Sequence, residues 1–114
     1  MIRLDPDLML EALLAAAPTT QLPIYATYRD IDPDGVMTGG IRFVDTNGTS
    51  AVPVMPNPPQ DLTRELQYLS IRNSNAASVT LTVRLRRIPT TVTPGVSEYT
   101  ILWSDILPVN KTLQ

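Results

Sequence analysis

Neither cysteine nor histidine occurs in this 114-residue chain. Without cysteine there is no disulfide, no thiolate zinc site and no thiol nucleophile, and without histidine the commonest general base and metal ligand is missing. Most familiar hydrolytic constellations are thereby excluded. The remaining serines, threonines and carboxylates have no histidine, lysine dyad or convincing carboxylate pair to activate them, so the chain is not expected to be an enzyme. Positive charge is scarce as well: nine Lys and Arg stand against eleven Asp and Glu, a net charge of −2. That balance argues against sequence-independent nucleic-acid binding, which needs a broad positive footprint. No apolar run approaches the ~20 residues of a membrane span. The opening Met1-Ile-Arg-Leu-Asp-Pro lacks the basic start, long apolar core and cleavage site of a signal peptide, so the product is expected to stay in the cell that makes it. The length fits one domain, large enough to bury a core without staples.

What the chain does contain is alternation. Val79, Leu81, Val83 and Leu85 fall on one face of an extended segment, and Ser78, Thr80, Thr82, Arg84 and Arg86 on the other, the period of two of a half-buried antiparallel strand. Leu66 to Arg72 alternates similarly, and the small polar stretch Asn73 to Ala77 between the two reads as the turn of a β-hairpin. From Thr19 onward prolines punctuate short extended pieces: Ile24 to Tyr28, Ile41 to Val44, and Ala51 to Met55, the last pushed toward a sheet edge by Pro53. Asp45-Thr46-Asn47-Gly48 suits a hairpin turn between the second and third of these. Pro56-Asn57-Pro58-Pro59 reads as a stiff linker. With segments around Ser97 to Trp103 and Ile106 to Val109, the count reaches about seven or eight strands. The expectation is an all-β domain over residues 19–114, an antiparallel β-sandwich or jelly roll. Its core should include Leu69, Ile71, Val79, Leu81, Val83, Leu85, Ile101 and Trp103.

Residues 1–18 read differently. Asp5 can cap, Pro6 suits a first helical position and Asp7 favours the positive helix end, while Pro18 provides a stop, so a short helical arm is expected from Asp5 to Ala17. Leu8, Met9, Leu10, Leu13, Leu14 and the alanine run make it apolar around much of its circumference. Such a helix either packs on its own sandwich or docks on a neighbouring protein subunit. The docking alternative makes Leu10, Leu13 and Leu14 candidate partner-binding residues.

Three further features carry possible chemistry. Asp30-Ile31-Asp32-Pro33-Asp34-Gly35 spaces three carboxylates two apart with glycine sixth, the opening of a calcium loop. The twelfth position is Ile41, where a bidentate glutamate is needed, and turn chemistry favours a surface turn made by Asp-Pro-Asp-Gly. Arg84, Arg86 and Arg87, with Arg72 on the same expected hairpin, form a basic strip that reads first as a solvated strand face protecting an edge. Arg86 and Arg87 are its candidate partner-binding residues, because arginine forks suit interface carboxylates. Tyr25, Tyr28, Tyr68, Tyr99 and Trp103 raise the idea of a sugar platform, but Trp103 shares an expected strand face with Tyr99 and Ile101 and reads as core.

The segment Tyr68-Leu-Ser-Ile-Arg-Asn-Ser-Asn, leading into the Thr/Val-rich strand Ser78 to Leu85, resembles small virion proteins of tailed bacteriophages. The run Tyr99-Thr-Ile-Leu-Trp-Ser-Asp-Ile-Leu-Pro-Val-Asn-Lys-Thr-Leu-Gln is similar to the strand, turn and closing strand of those β-sandwich modules. Together these cover roughly the last half of the chain. In that pattern a further strand follows Gln114, so the last edge is expected to be short or completed by another subunit. The resemblance implies a structural virion protein, foremost a head decoration or cement protein bridging major capsid subunits as a homo-oligomer, with no cofactor, no nucleic acid and no membrane. A head-to-tail, tail or baseplate module is the second implication. A carbohydrate-binding module, calcium dependent through Asp30, Asp32 and Asp34, is the alternative from a different class.

Overall fold

The structure is a computed structural model and describes residues 2–88, 98–108 and 112–113. These residues form nine strands and no helix: β1 (Arg3–Leu4), β2 (Leu8–Leu14), β3 (Pro23–Ile31), β4 (Met37–Asp45), β5 (Val52–Met55), β6 (Thr63–Arg72), β7 (Val79–Arg87), β8 (Glu98–Leu107) and β9 (Thr112–Leu113). All pairings are antiparallel. The first sheet runs β4-β3-β6, with β1 and β9 lying beside opposite ends of β6, and the second runs β5-β2-β7-β8. Leu4, Ile24, Ala26 and Ile71 from the first sheet meet Leu10, Ala12, Leu14, Val54, Leu81, Val83 and Leu107 from the second in one buried cluster. Two antiparallel sheets around a shared core are consistent with a β-sandwich.

The N-terminal helical arm is not present. Residues 8–14 form β2, an inner strand of the second sheet, with Leu10, Ala12 and Leu14 opposite Leu85, Val83 and Leu81. Seven consecutive mostly apolar residues satisfy the period of two as well as the helical one, so pairing on both edges decides. Asp5 caps a turn rather than a helix: its Oδ1 accepts from the Asp7 amide at 2.9 Å and its carbonyl from the Leu8 amide at 3.0 Å. Leu10 and Leu14 are therefore core rather than docking residues, and Leu13 is half-buried on the outer face of the sheet. Residues 2–18 are woven into the rest through β1 and β2, not appended to it.

The expected hairpin from Leu66 to Arg86 is also replaced. Its two arms are the strands β6 and β7, but they lie in different sheets, β6 on β3 and β7 on β2 and β8. The inward row is as read from the sequence: Leu81 and Val83 are buried, with Val79 and Leu85 packed against them. Alternation fixes which face is buried and leaves the partner open. Likewise Asn47 and Gly48 do make a tight turn, with Gly48 at φ 56°. That turn carries the chain from β4 in one sheet to β5 in the other.

The two expected C-terminal segments are one ten-residue strand, β8, with a bulge. Val83 pairs with Trp103 but Arg84 with Ile101, so Leu102 is the extra residue and the facing of β8 changes there. Trp103 and Leu107 face the core, whereas Tyr99 and Ile101 share the outer face with Arg86 and Arg84. Ile101, expected in the core, is 63% exposed. Ser97 and Val109 lie outside the described residues.

Candidate functional site

The hairpin β3–β4 builds the most exposed apolar surface of the first sheet. Its turn is Asp32-Pro33-Asp34-Gly35: Asp32 Oδ1 accepts from the amides of Asp34 (3.0 Å) and Val36 (2.9 Å), and Gly35 takes φ 86°, which glycine tolerates without a Cβ clash. The segment is the surface turn that turn chemistry favours, and the carboxylates of the alternative calcium loop do not converge. Asp30 is gripped by Arg64, Nε to Oδ1 at 2.8 Å and Nη2 to Oδ2 at 3.0 Å, while Asp32 caps the turn. Among the described residues no group of three such side chains is placed to hold a metal ion.

Arg64 lies on the inner side, its guanidinium 4.3 Å from the centre of the Tyr28 ring, and it also donates to the Pro56 carbonyl at 2.9 Å. Its hydrogen bonds to the Asp30 carboxylate raise its pKa above the ordinary arginine value, so it stays charged. Gly40 makes room for that ring: a Cβ there would sit 2.3 Å from Tyr28 Cζ. Tyr28 is therefore internal, and not part of any surface platform.

On the outer side the residues alternate the other way. Tyr25 on β3 stands opposite Phe43 on β4, ring centres 4.8 Å apart and tilted by 47°, and Tyr68 on β6 meets Tyr25 edge-on at 5.7 Å. Ile41 continues the row, 62% exposed, and Phe43 is 74% exposed. Phe43 is not among the tyrosines and tryptophan that suggest a platform from sequence, yet its signal is in the alternation: Met37, Ile41 and Phe43 fall on one parity of β4 while Arg42 and Val44 fall on the other. Of the other aromatics, Trp103 packs against the core and Tyr99 lies on the second sheet.

At the end of the same face, Glu65 is fully buried between Arg29 and Arg3. Arg29 Nε donates to Oε1 at 2.7 Å, whereas Arg3 Nε reaches Oε2 at 2.6 Å off the hydrogen-bonding line, so Arg29 is the aligned partner and Arg3 acts by charge. The Arg29 hydrogen bond, helped by both positive charges against the cost of burial, holds the Glu65 carboxyl below the ordinary glutamate value. A depressed carboxyl stabilises the fold above its unfolded value and ceases to do so as pH falls through its folded one. Melting temperature should accordingly drop on acidification below the usual carboxylate range. Glu65→Gln should flatten that part of the pH profile, and an unchanged profile would remove Glu65 as its source.

The arginine strip is divided. Arg72 belongs to the first sheet, 3.5 Å from Thr112 Oγ1, while Arg84, Arg86 and Arg87 belong to β7 in the second. Arg84 is not a solvated residue: it pairs with Glu11 at 2.6 Å and covers the Tyr99 ring at 3.9 Å. Arg86 stands between Met9 and Tyr99, and Arg87 between Leu8 and Glu98, both half-buried. A cleft of about 310 Å³ opens between the connections Ala15–Thr19 and Asn75–Ser78, and its lining includes no ionisable side chain. The chain matches no protein family, no curated protein and no solved structure.

Proposed function

We propose that this chain is a structural protein of a tailed-phage virion, of the head decoration or cement type, acting as a homo-oligomer that binds the major capsid protein. The observation that carries the reading is the outer face of the first sheet, where Tyr25, Phe43, Tyr68 and Ile41 form an exposed apolar surface with the Glu65, Arg29 and Arg3 cluster at its end. Aromatic residues flanked by a polar rim are what protein interfaces concentrate at their centres. Binding to the assembled shell alone would stabilise that state by mass action, with no cofactor. The phage assignment itself rests on the resemblance of Tyr68–Asn75 and Tyr99–Gln114. The same contacts would serve a head-to-tail, tail or baseplate position, distinguished by the symmetry axis the protein follows.

Phe43→Ser should leave the melting transition nearly unchanged, because the ring is mostly in solvent, yet weaken co-sedimentation with capsids lacking the native copy by roughly tenfold or more. Undiminished binding would remove this face from the interface. A second reading is favoured by one observation: three neighbouring rings on a sheet also form a platform on which a sugar can stack. Retention on immobilised glycans, lost in Phe43→Ser, together with absence of capsid binding would establish that reading instead.

A further inference from the structure

Most sheet edges in this fold are short or blunted. β5 has four residues and carries Pro53, and β1 and β9 have two residues each. β8, the edge of the second sheet, has ten residues but is bulged at Leu102 and carries Glu98 and Asp105. β4 is different: nine residues in unbroken register, no proline, Arg42 its one cation, and no strand among the described residues on the side away from β3. A long, apolar, unprotected edge is a template for pairing with another chain.

We propose that two copies of this chain join through β4, antiparallel, about a twofold axis at Ile41, so that the first sheet runs on from one copy into the other. This rests on the homo-oligomer reading above and adds the strand and the register. The backbone is phased for it. The bond from the Asp32 amide to the Val36 carbonyl, followed by the unbroken register Asp30↔Thr38, Tyr28↔Gly40 and Ala26↔Arg42, commits the even-numbered residues of β4 to β3. Met37, Gly39, Ile41, Phe43 and Asp45 consequently turn their N–H and C=O groups to the open side.

The side chains select the register. Centred on Ile41, the pairing sets Phe43 of one copy beside Gly39 of the other, where a Cβ would meet nothing closer than 4.0 Å and the missing side chain leaves a place for the ring. Arg42 falls opposite Gly40 and Met37 opposite Asp45, so no like charges meet. Centring one residue further on would set Arg42 against itself. Met37, 56% exposed, extends the apolar row of Ile41 and Phe43. These three side chains offer on the order of 300 Å², and the backbone of a nine-residue edge adds to that toward the ~800 Å² a side of a standard interface. Pairing would also join the two aromatic faces into one surface of double extent.

The test uses the residue that faces itself across the axis. Sedimentation equilibrium should show a dimer for the native protein. Ile41→Lys and Ile41→Asp should each fold, Ile41 being mostly exposed, and each should weaken the dimer by roughly tenfold or more. Mixing the two variants should restore it. Met37→Lys, brought opposite Asp45, should dimerise at least as well as the native chain. A native protein that stays monomeric at every concentration would overturn both this inference and the homo-oligomer reading. An oligomer indifferent to both Ile41 variants, or one that Met37→Lys disrupts, would overturn the β4 contact alone.

Discussion

Arg84→Ala is expected to destabilise the fold by about 3–5 kcal/mol, far more than an outward-facing arginine on a strand ordinarily costs. The reason is its partner. Glu11 faces outward from β2 directly opposite Arg84 on β7, yet its side chain is only 3% exposed, and Arg84 Nε meets its Oε1 at 2.6 Å. The guanidinium plane, lying over Tyr99 at 3.9 Å, completes the cover. Removing Arg84 strands a carboxylate away from water without a counter-charge, and that uncompensated burial is the main penalty. The difference in urea unfolding free energy between native and variant proteins measures it. Replacing both partners with Glu11→Leu and Arg84→Met should recover most of the loss, because an apolar pair of similar volume leaves nothing buried and unsatisfied. A single-variant loss below about 1 kcal/mol would mean that Glu11 reaches water without Arg84.

Arg84 also shows where sequence reading stops. The alternation of β7 correctly placed Leu81 and Val83 inside and Arg84 outside, because side-chain direction in a strand is a local property. Whether an outward arginine is solvated depends on what a strand some seventy residues earlier sets beside it, and no local pattern encodes that. The same limit explains the N-terminal segment. Leu8 to Leu14 is compatible with helix or strand, and the choice is made by β5 and β7 on its two edges. It explains Ile101 too, since one extra residue at Leu102 reverses the facing of half of β8, and a bulge leaves no mark in composition. By contrast, Asp32-Pro33-Asp34-Gly35 was legible as a turn because its hydrogen bonds close within five residues. The aromatic face lay between these cases: parity placed Tyr25 and Phe43 each on a face of its own strand, but their contact needed the β3–β4 register.

Asn73→Ala is expected to cost about 3–4 kcal/mol, although a small polar residue between two strands reads as a tolerant turn position. Asn73 is fully buried at the corner where the chain leaves the first sheet for the second. Its Nδ2 donates to the carbonyls of Ala77 and Leu107, each at 3.0 Å, and its Oδ1 accepts from the amide and side-chain nitrogens of Asn75 at 2.9 and 3.0 Å. Asn75 in turn exchanges two bonds with the Thr20 backbone, at 2.7 and 2.9 Å. One amide thus ties together the end of β6, the end of β8 and, through Asn75, the β2–β3 connection. Alanine would leave the Leu107 carbonyl and the Asn75 amide to find new partners in an interior that excludes water, and each orphan carries its own desolvation cost. Asn73→Asp tests the direction of the bonds: it keeps the acceptor for Asn75, loses the donor to Leu107 and adds a buried charge, so it should be at least as damaging as alanine. Ser74→Ala, at an exposed neighbour on the same connection, should change stability by less than about 0.5 kcal/mol. If Asn73→Ala and Ser74→Ala proved equally mild by urea unfolding, the corner would be held by the flanking strands alone, and the buried amide would be dispensable to the crossing between sheets.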